Sequence, residues 1–314
     1  MGMTQWEPSC RTENLQARAN LLTAIRQFFN NRDIMEVETP ILSCAGNSDP
    51  GIHQFRTEGE PLWLRTSPEY PMKRLLAGGS GDIYELGRVF RAGENGRNHN
   101  HEFTMLEWYR VGWTYHQLIE EVEDLLRHCM PEHQFNTSRV SYRDLILAYG
   151  GFDPMTATDG EILNFISSND INLKDIDRNG MLDLVISHFV QPALPPDSLT
   201  FVFDYPAGQA ALSRVRGGKP PVAERFELFL GPYELANGYQ ELTDPAEQCH
   251  RFESENQLKM KGGNSAPLDR HLLAAMASGL PHSAGVALGV DRLLMALLNK
   301  DSLENVLAFP ADRA

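Results

Sequence analysis

Two arginines, one pair of carboxylates and two strand faces that each bear a further acid carry the chemistry that can be read from spacing. Arg91 ends the β-prone run IYELGRVFR (83–91), where the chain enters a polar loop. A planar, permanently charged guanidinium there can grip a phosphate or carboxylate through two parallel hydrogen bonds. Arg292 follows Gly289 at the expected start of a helix, where free backbone N–H groups and the helix dipole favour anions. Either arginine alone is more often a surface ion pair. Glu227 and Glu234 flank the turn Gly231-Pro232, so two strands can present both carboxylates. Such a pair suits a magnesium ion whose shell is completed by phosphate oxygens and water. Strict alternation puts Asn237, Tyr239 and Glu241 on one face and Glu234 on the other. Uniting them requires a bulge between Glu234 and Asn237, which Gly238 makes feasible. In EFTMLEWYR (102–110) the same period puts Phe103, Met105, Glu107 and Tyr109 on one face. That face is either the floor of a pocket or a core face with one ion-paired acid.

The elements that must position these groups follow from periodicity and turn chemistry. Leu15, Ala19, Leu22, Ile25 and Phe29 recur at helical spacing until Asn30-Asn31-Arg32-Asp33 interrupts them. A β-prone run, 34–40, then stops at Pro40, and 61–66 reads as another strand. Ser67-Pro68-Glu69 announces a helix through about Leu76, with a cap hydroxyl, a proline at the first helical position and a first-turn acid; Gly78-Gly79 ends it. About ten polar residues join 83–91 to 102–110. A parallel crossover needs a dozen or more residues, so the pair is expected to be antiparallel, and with it the sheet. Helices are expected near 115–129 and across 246–261, and strands at 201–205 and 225–242. The segment 150–200, rich in Asp (153, 159, 170, 175, 177, 183 and 197), reads as an acidic helical insertion with short helices around 162–166 and 182–190.

Composition narrows the class. The 314 residues suit one large domain or two ordinary ones. A net charge of −14 argues against a broad phosphate-tracking surface. Residues 61–110, with a local charge of +1, fit a small anionic ligand or a set of solvated arginines. The four cysteines, at 10, 44, 129 and 249, are too scattered for a disulfide framework or zinc ribbon, and read as reduced thiols. No window is apolar enough for a membrane helix, and the N-terminus lacks secretory-signal features, so the expected location is cytoplasmic.

The motifs then resemble a known family. FRAGENGRNHNHEFTMLEWY looks like motif 2 of a class II aminoacyl-tRNA synthetase, GVALGVDRLLM looks like motif 3, and the helix, strand and proline around Glu38-Thr39-Pro40 look like motif 1. With TSPEYPMKRLL (66–76) and ELANGYQELTD (234–244), they resemble specifically the lysyl-tRNA synthetase catalytic core. The fold this implies is α+β, a class II catalytic domain with a mainly antiparallel sheet flanked by helices. One domain over 1–314 is expected, with the insertion at about 150–200 and without the anticodon-binding domain. A core of this size resembles the branch of the family that attaches (R)-β-lysine to a lysine of translation elongation factor P. The implied activity is that of an ATP-dependent ligase using Mg²⁺, with elongation factor P as protein substrate, a lysine-like small molecule, a homodimer through motif 1, and neither tRNA nor membrane as partner. A minimal lysyl-tRNA synthetase and a catalytically inactive regulatory relative are the alternatives; relics of the latter kind usually lose a charged ATP ligand, and Arg91, Glu227, Glu234 and Arg292 are all present here.

By resemblance, Arg91 takes the α-phosphate and substrate carboxylate, Phe103 stacks on adenine, and Gly93, His99 and Asn100 belong to the ATP loop. Arg292 clamps the γ-phosphate, so Arg91 and Arg292 are the catalytic pair. Glu227 and Glu234 hold Mg²⁺, while Leu235 and Gly289 line the nucleotide site. Ser67 and Glu69 face the substrate amino group, and Tyr109 and Glu241 receive the distal ammonium, helped by Glu107 and Asn237. A buried carboxylate opposite a substrate ammonium selects a long cationic side chain, because an apolar analogue leaves it unpaired.

The chain departs from the lysyl pattern in four places. Arg91-Ala92-Gly93-Glu94 replaces Arg-x-Glu, so the adenine-contacting acid is either lost or displaced by one residue to Glu94. His101 stands where proline is usual, and Asn98 replaces a larger residue. Ala287 stands where glycine is expected and sets a methyl group beside the amino acid site, which reshapes a close-packed pocket and is expected to favour a β-amino acid over α-lysine.

Overall fold

A computed structural model describes residues 6–171, 176–261 and 266–314. Asp175 of the acidic segment and the first five residues lie outside the described residues. In chain order the first elements are helix α1 (Thr12–Asn30), strands β1 (Met35–Glu36), β2 (Leu42–Ser43) and β3 (Trp63–Leu64), helix α2 (Glu69–Ala77), strands β4 (Ile83–Phe90) and β5 (Glu102–Val111), and helix α3 (Tyr115–Cys129). Strand β6 (Asn136–Ser141) leads into helices α4 (Tyr142–Gly150), α5 (Asp159–Ser168) and α6 (Arg178–Val185), then strands β7 (Ser198–Pro206), β8 (Val215–Arg216), β9 (Val222–Leu230) and β10 (Tyr233–Gln240). The last elements are helices α7 (Pro245–Lys261) and α8 (Arg270–Gly279), strand β11 (Ser283–Gly289) and helix α9 (Val290–Leu297). They form two compact units, residues 1–132 with 243–314, and residues 133–242.

In the first unit the strands run β1, β4, β5, β11. β4 pairs antiparallel with β5, from Ile83 opposite Tyr109 to Phe90 opposite Glu102. β11 pairs antiparallel with the other edge of β5, from Ser283 opposite Val111 to Gly289 opposite Met105. One face of this sheet is apolar and aromatic. Leu21, Ile25, Phe28 and Phe29 recur on the inner side of α1 and are buried. Phe29 stacks on Tyr84 with ring centres 4.4 Å apart and meets the edge of Trp108 at 5.4 Å, geometries that aromatic rings favour. α3 opens with a capping box of Thr114 and Gln117. Its buried face carries Glu121, which accepts from the Trp108 indole at 3.1 Å.

The second unit orders its strands β10, β9, β7, β6, with β8 also on β9. Its helices bury Tyr142, Ile146, Ile162, Ile166, Leu182 and Val185 together with Val202 and Phe229 from the strands. α5 begins with a capping box of Thr158 and Glu161, and Asp177 caps α6.

Several local expectations are corrected. Residues 34–40 and 61–66 contribute only two strand residues each, at 35–36 and 63–64. The sheet is mainly antiparallel, as expected, with parallel pairs only where β1 runs beside β4 and β6 beside β7. Pro68 is the N-cap of α2 rather than its first helical residue and makes no side-chain cap; Ser67 therefore lies one residue before the cap, where its hydroxyl accepts from the Glu69 N–H at 2.9 Å. The helix expected at 182–190 starts at Arg178 and passes at Ile186 into a π-helical turn through Val190. The expected elements do not include β6, α4 and α8, although Tyr142, Leu145, Ile146 and Tyr149 recur at helical spacing in α4 behind the N-cap Ser141.

Candidate active site

The face of the first unit's sheet opposite the aromatic core carries the acids. Directly opposed residues in antiparallel strands share a face, so the pairings set Glu85, Glu107 and Ala287 in one row across β4, β5 and β11. Glu107, buried to 2 % exposure, is held at both oxygens. The Tyr109 hydroxyl donates to Oε1 at 2.6 Å, and the Ser67 hydroxyl donates to Oε2 at 2.7 Å. Burial pushes the Glu107 pKa well above the ordinary carboxylate range, and the neighbouring Glu69 charge adds to this, against the opposing pull of the two hydroxyl bonds and of Lys73. Face-sharing by Glu107 and Tyr109 is thus confirmed, and their face is a polar one joined to Ser67.

Glu69 sits one turn before Lys73 on α2, and Lys73 Nζ lies 2.5 Å from Glu69 Oε1 with its side chain almost wholly buried. A cavity of about 270 Å³ lined by Ser67 and Glu69, with Asn47, Gln54, Thr66 and Asp269, gives a small polar ligand room beside these groups. Glu85 pairs with the buried Arg65. Arg65 also donates to Arg88 O at 2.9 Å and to the Thr39 hydroxyl at 3.0 Å, and Thr39 in turn donates to Glu85 Oε2 at 2.7 Å. Of the two acids in the row, Glu85 is therefore neutralised within the protein by a guanidinium.

The basic end of the same unit is built at the mouth of β4 and β5 and the start of α9. Arg91 lies half-buried 3.5 Å from Glu94, with its guanidinium carbon 5.2 Å from the Phe103 ring centre. Gly93 adopts φ +81°, a conformation that favours glycine. Arg292 stands in the first turn of α9, whose N-cap is Gly289. Its Nη2 lies 2.9 Å from His99 Nε2, and its Nε donates to Asn98 O at 3.4 Å. A guanidinium only donates, so His99 presents its Nε2 lone pair to Arg292. The structure thus joins Arg292 to the loop holding His99. Asn100 is buried, and its side chain donates to Glu102 O at 2.7 Å and accepts from Ala311 N at 2.8 Å; it ties that loop to the C-terminal segment.

The second unit holds the remaining acids. β10 pairs with β9 so that Glu234 opposes Phe229 and Asn237 opposes Glu227, with a register shift between Glu234 and Ala236. This is the bulge that brings Glu234 and Asn237 onto one face, and Leu235, buried at 2 % exposure, is the extra residue; Glu227 shares that face with Phe229, two residues along β9 and opposite Glu234. Burial raises the Glu227 pKa; the Arg225 charge opposes this and the Glu234 charge reinforces it. Two carboxylates crowding one face, with charge repulsion between them, is an arrangement a divalent cation relieves. Among the described residues no three His, Cys, Asp or Glu side chains gather as a metal site. The pair therefore fits Mg²⁺ that draws the rest of its shell from phosphate and water, and not a closed protein cage. Arg225 holds the first of the two: its Nη2 is 2.5 Å from Glu227 Oε1, and its Nε donates to Asn237 Oδ1 at 3.3 Å. Glu241 is buried just beyond β10, bridged to Ser213.

Sequence reasoning missed Arg225, Lys73, Arg65 with Glu85, and Asp291. Arg225 had a usable signal, two residues before Glu227 on one strand face, as did Lys73, four residues after Glu69 on a helix. Asp291 accepts from Thr104 N at 2.8 Å through Oδ2 and pairs with Arg18 of α1 through Oδ1, contacts that no local spacing reveals.

The sequence pattern of the class II tRNA synthetases (D, K and N) matches residues 5–313. A protein from Vibrio cholerae serotype O1 named elongation factor P--(R)-beta-lysine ligase is 43 % identical over 326 aligned positions that cover 100 % of each chain. Proteins of the same name from Edwardsiella ictaluri and Pectobacterium atrosepticum are 43 % and 41 % identical, each with 99 % of both chains covered. The likeness therefore extends over whole chains and is not confined to a shared nucleotide-binding core.

Proposed function

The chain belongs to the class II tRNA synthetase family (D, K and N), and from that footing we propose that it activates (R)-β-lysine with ATP and transfers it to a lysine side chain of translation elongation factor P. The carrying observation is the end-to-end similarity to relatives bearing that name, in both directions of coverage. The enzyme is a ligase that forms an amide and releases AMP and pyrophosphate.

The chemistry needs position and charge rather than a side-chain nucleophile. The amino acid carboxylate attacks the α-phosphorus of ATP, the bond to the β-phosphate oxygen breaks, and pyrophosphate leaves. Arg91 neutralises charge at the α-phosphate and the carboxylate, with Phe103 offering its ring to adenine beside Gly93 and Glu94. Arg292, at the amino end of α9 and oriented by His99, takes the γ-phosphate, and Gly289 lets the nucleotide approach. Glu227 and Glu234 would hold Mg²⁺, which would supply neutralisation of the phosphate oxygens. Ser67 and Glu69 receive the amino group; Tyr109, Glu107, Asn237 and Glu241 read the distal ammonium. In the second half the uncharged acceptor amine attacks the acyl carbonyl and AMP departs with the carboxyl oxygen.

Two copies are proposed to associate through the α1–β2 region, where Met35, Ile41 and Leu42 expose large apolar side chains. No described helix is long and apolar enough to cross a membrane, and a translation factor as acceptor puts the reaction in the cytoplasm. The direct test is the intact mass of purified elongation factor P after incubation with the protein, ATP, Mg²⁺ and (R)-β-lysine, beside reactions offering α-lysine or tRNA. A lysyl increment on the factor, greatest with the β-isomer and without tRNA charging, is the expected result. Pyrophosphate exchange without transfer would retain the site and discard the acceptor.

A further inference from the structure

Arg225 is placed as an orienting group more firmly than any ion-pair partner requires. Its Nη1 donates to Gln209 O at 2.9 Å, its Nε to Asn237 Oδ1 at 3.3 Å, and its Nη2 to Glu227 Oε1 at 2.5 Å. The guanidinium carbon also lies 4.6 Å from the centre of the Tyr205 ring. Three of its contacts are therefore independent of Glu227.

The support extends behind it. Gln209 lies in a 3₁₀ turn at 207–209, and its side chain donates to Asp183 Oδ1 of α6 at 2.7 Å. Asp204 and Ala211, on either side of the turn, adopt φ +58° and +48°. Such backbone is costly for residues other than glycine and persists where its surroundings enforce it. The turn is thereby fixed at both ends, and its carbonyl is aimed at Arg225.

We propose that Arg225 is a positioning residue for magnesium: it fixes Glu227 through Oε1 in the orientation in which that carboxylate and Glu234 would hold the cation together. This rests on the reading that Glu227 and Glu234 hold Mg²⁺. Partners that orient a metal-binding carboxylate govern affinity although they never touch the ion. Lysine at this position keeps the charge and loses the planar fork, so it cannot serve Gln209 O, Asn237 and Glu227 together.

The test measures Mn²⁺ binding by electron paramagnetic resonance in the presence of a non-hydrolysable ATP analogue, on the wild type, Glu227→Gln, Arg225→Met and Arg225→Lys. Thermal unfolding of each variant establishes that it is folded. Glu227→Gln is expected to weaken Mn²⁺ binding, Arg225→Met to weaken it by about tenfold or more, and Arg225→Lys to restore it only in part. In amino acid-dependent pyrophosphate exchange, Arg225→Met should raise the Mg²⁺ requirement and recover kcat at excess Mg²⁺, which a general loss of structure would not do. Normal Mn²⁺ affinity in Arg225→Met beside a weakened Glu227→Gln overturns the proposal alone. Normal affinity in Glu227→Gln overturns the metal reading beneath it. Full restoration by Arg225→Lys overturns the orienting role in favour of charge alone.

Discussion

Ala287 stands directly opposite Glu107 where β11 pairs with β5. Opposed side chains on one face lie about 5 Å apart at Cβ, so the Ala287 methyl borders the carboxylate proposed to read the substrate ammonium. Removing it frees the volume of one methyl group beside that acid. Ala287→Gly is expected to shift the ratio of (R)-β-lysine to α-lysine activation towards α-lysine by about tenfold, since one methylene in a pocket discriminates by roughly 1–3 kcal/mol. Pyrophosphate exchange with each amino acid measures the ratio; an unchanged ratio removes Ala287 from the specificity argument.

Glu107 ties stability to pH. Its native pKa lies above the ordinary value of 4.5, chiefly through burial and then through the charge on Glu69. Between those two values the folded chain binds a proton that the unfolded chain does not. This contribution is therefore fully present below the ordinary value and is lost as pH rises through the native one, by at most about 1.4 kcal/mol per pH unit. Urea unfolding across this window should show a shallower pH slope for Glu107→Gln than for the wild type. A substrate ammonium docking on Glu107 restores its charge, so binding should release a proton; calorimetry in buffers of different ionisation enthalpy would detect it, and binding without proton release counts against Glu107 as the ammonium reader.

Glu241 is buried at 2 % exposure and is proposed to face the same distal ammonium. Glu241→Gln keeps the shape and removes the charge. Its KM for the lysine-like substrate is expected to rise by about tenfold or more, since hydrogen-bonded charge recognition is worth well over 1.4 kcal/mol, while binding of an ATP analogue stays as in the wild type. Equal loss of both would place Glu241 in the scaffold.

What could be read beforehand was whatever depends on neighbours in sequence. The bulge in β10 was required by counting alone, because two acids and an amide could not otherwise share a face, and the register shift falls at Leu235 between the residues expected to flank it. Gly238 makes an irregularity feasible, yet the shift lies at Leu235 and the register is restored by Ala236. Phe103, Glu107 and Tyr109 could be put on one face, but Ser67 as the second hydroxyl on Glu107 could not, because 40 residues separate them. The Arg65–Glu85 pair was hidden for the same reason. Short strands such as β1 were overextended because β-branched and apolar residues favour strands without specifying how many find a partner.

Asp291 shows what such long-range contacts hold in place. It is buried in the first turn of α9, next to Arg292, and its two oxygens reach Arg18 of α1 and the Thr104 N–H of β5. Arg18 also donates to Val306 O at 3.2 Å, so one guanidinium joins three segments distant in sequence. Breaking a buried pair by neutralising one partner costs about 3–5 kcal/mol, because the surviving charge stays buried. Asp291→Asn retains one acceptor oxygen, so a loss of about 3 kcal/mol in urea unfolding is expected, the lower end of that range. Arg18→Met combined with Asp291→Asn removes the stranded charge, and the double variant should therefore be more stable than the sum of the single losses by about 1 kcal/mol or more. Strict additivity would mean that Arg18 and Asp291 act separately. Coupling would make this junction the anchor that sets α9, and with it Arg292, against β5.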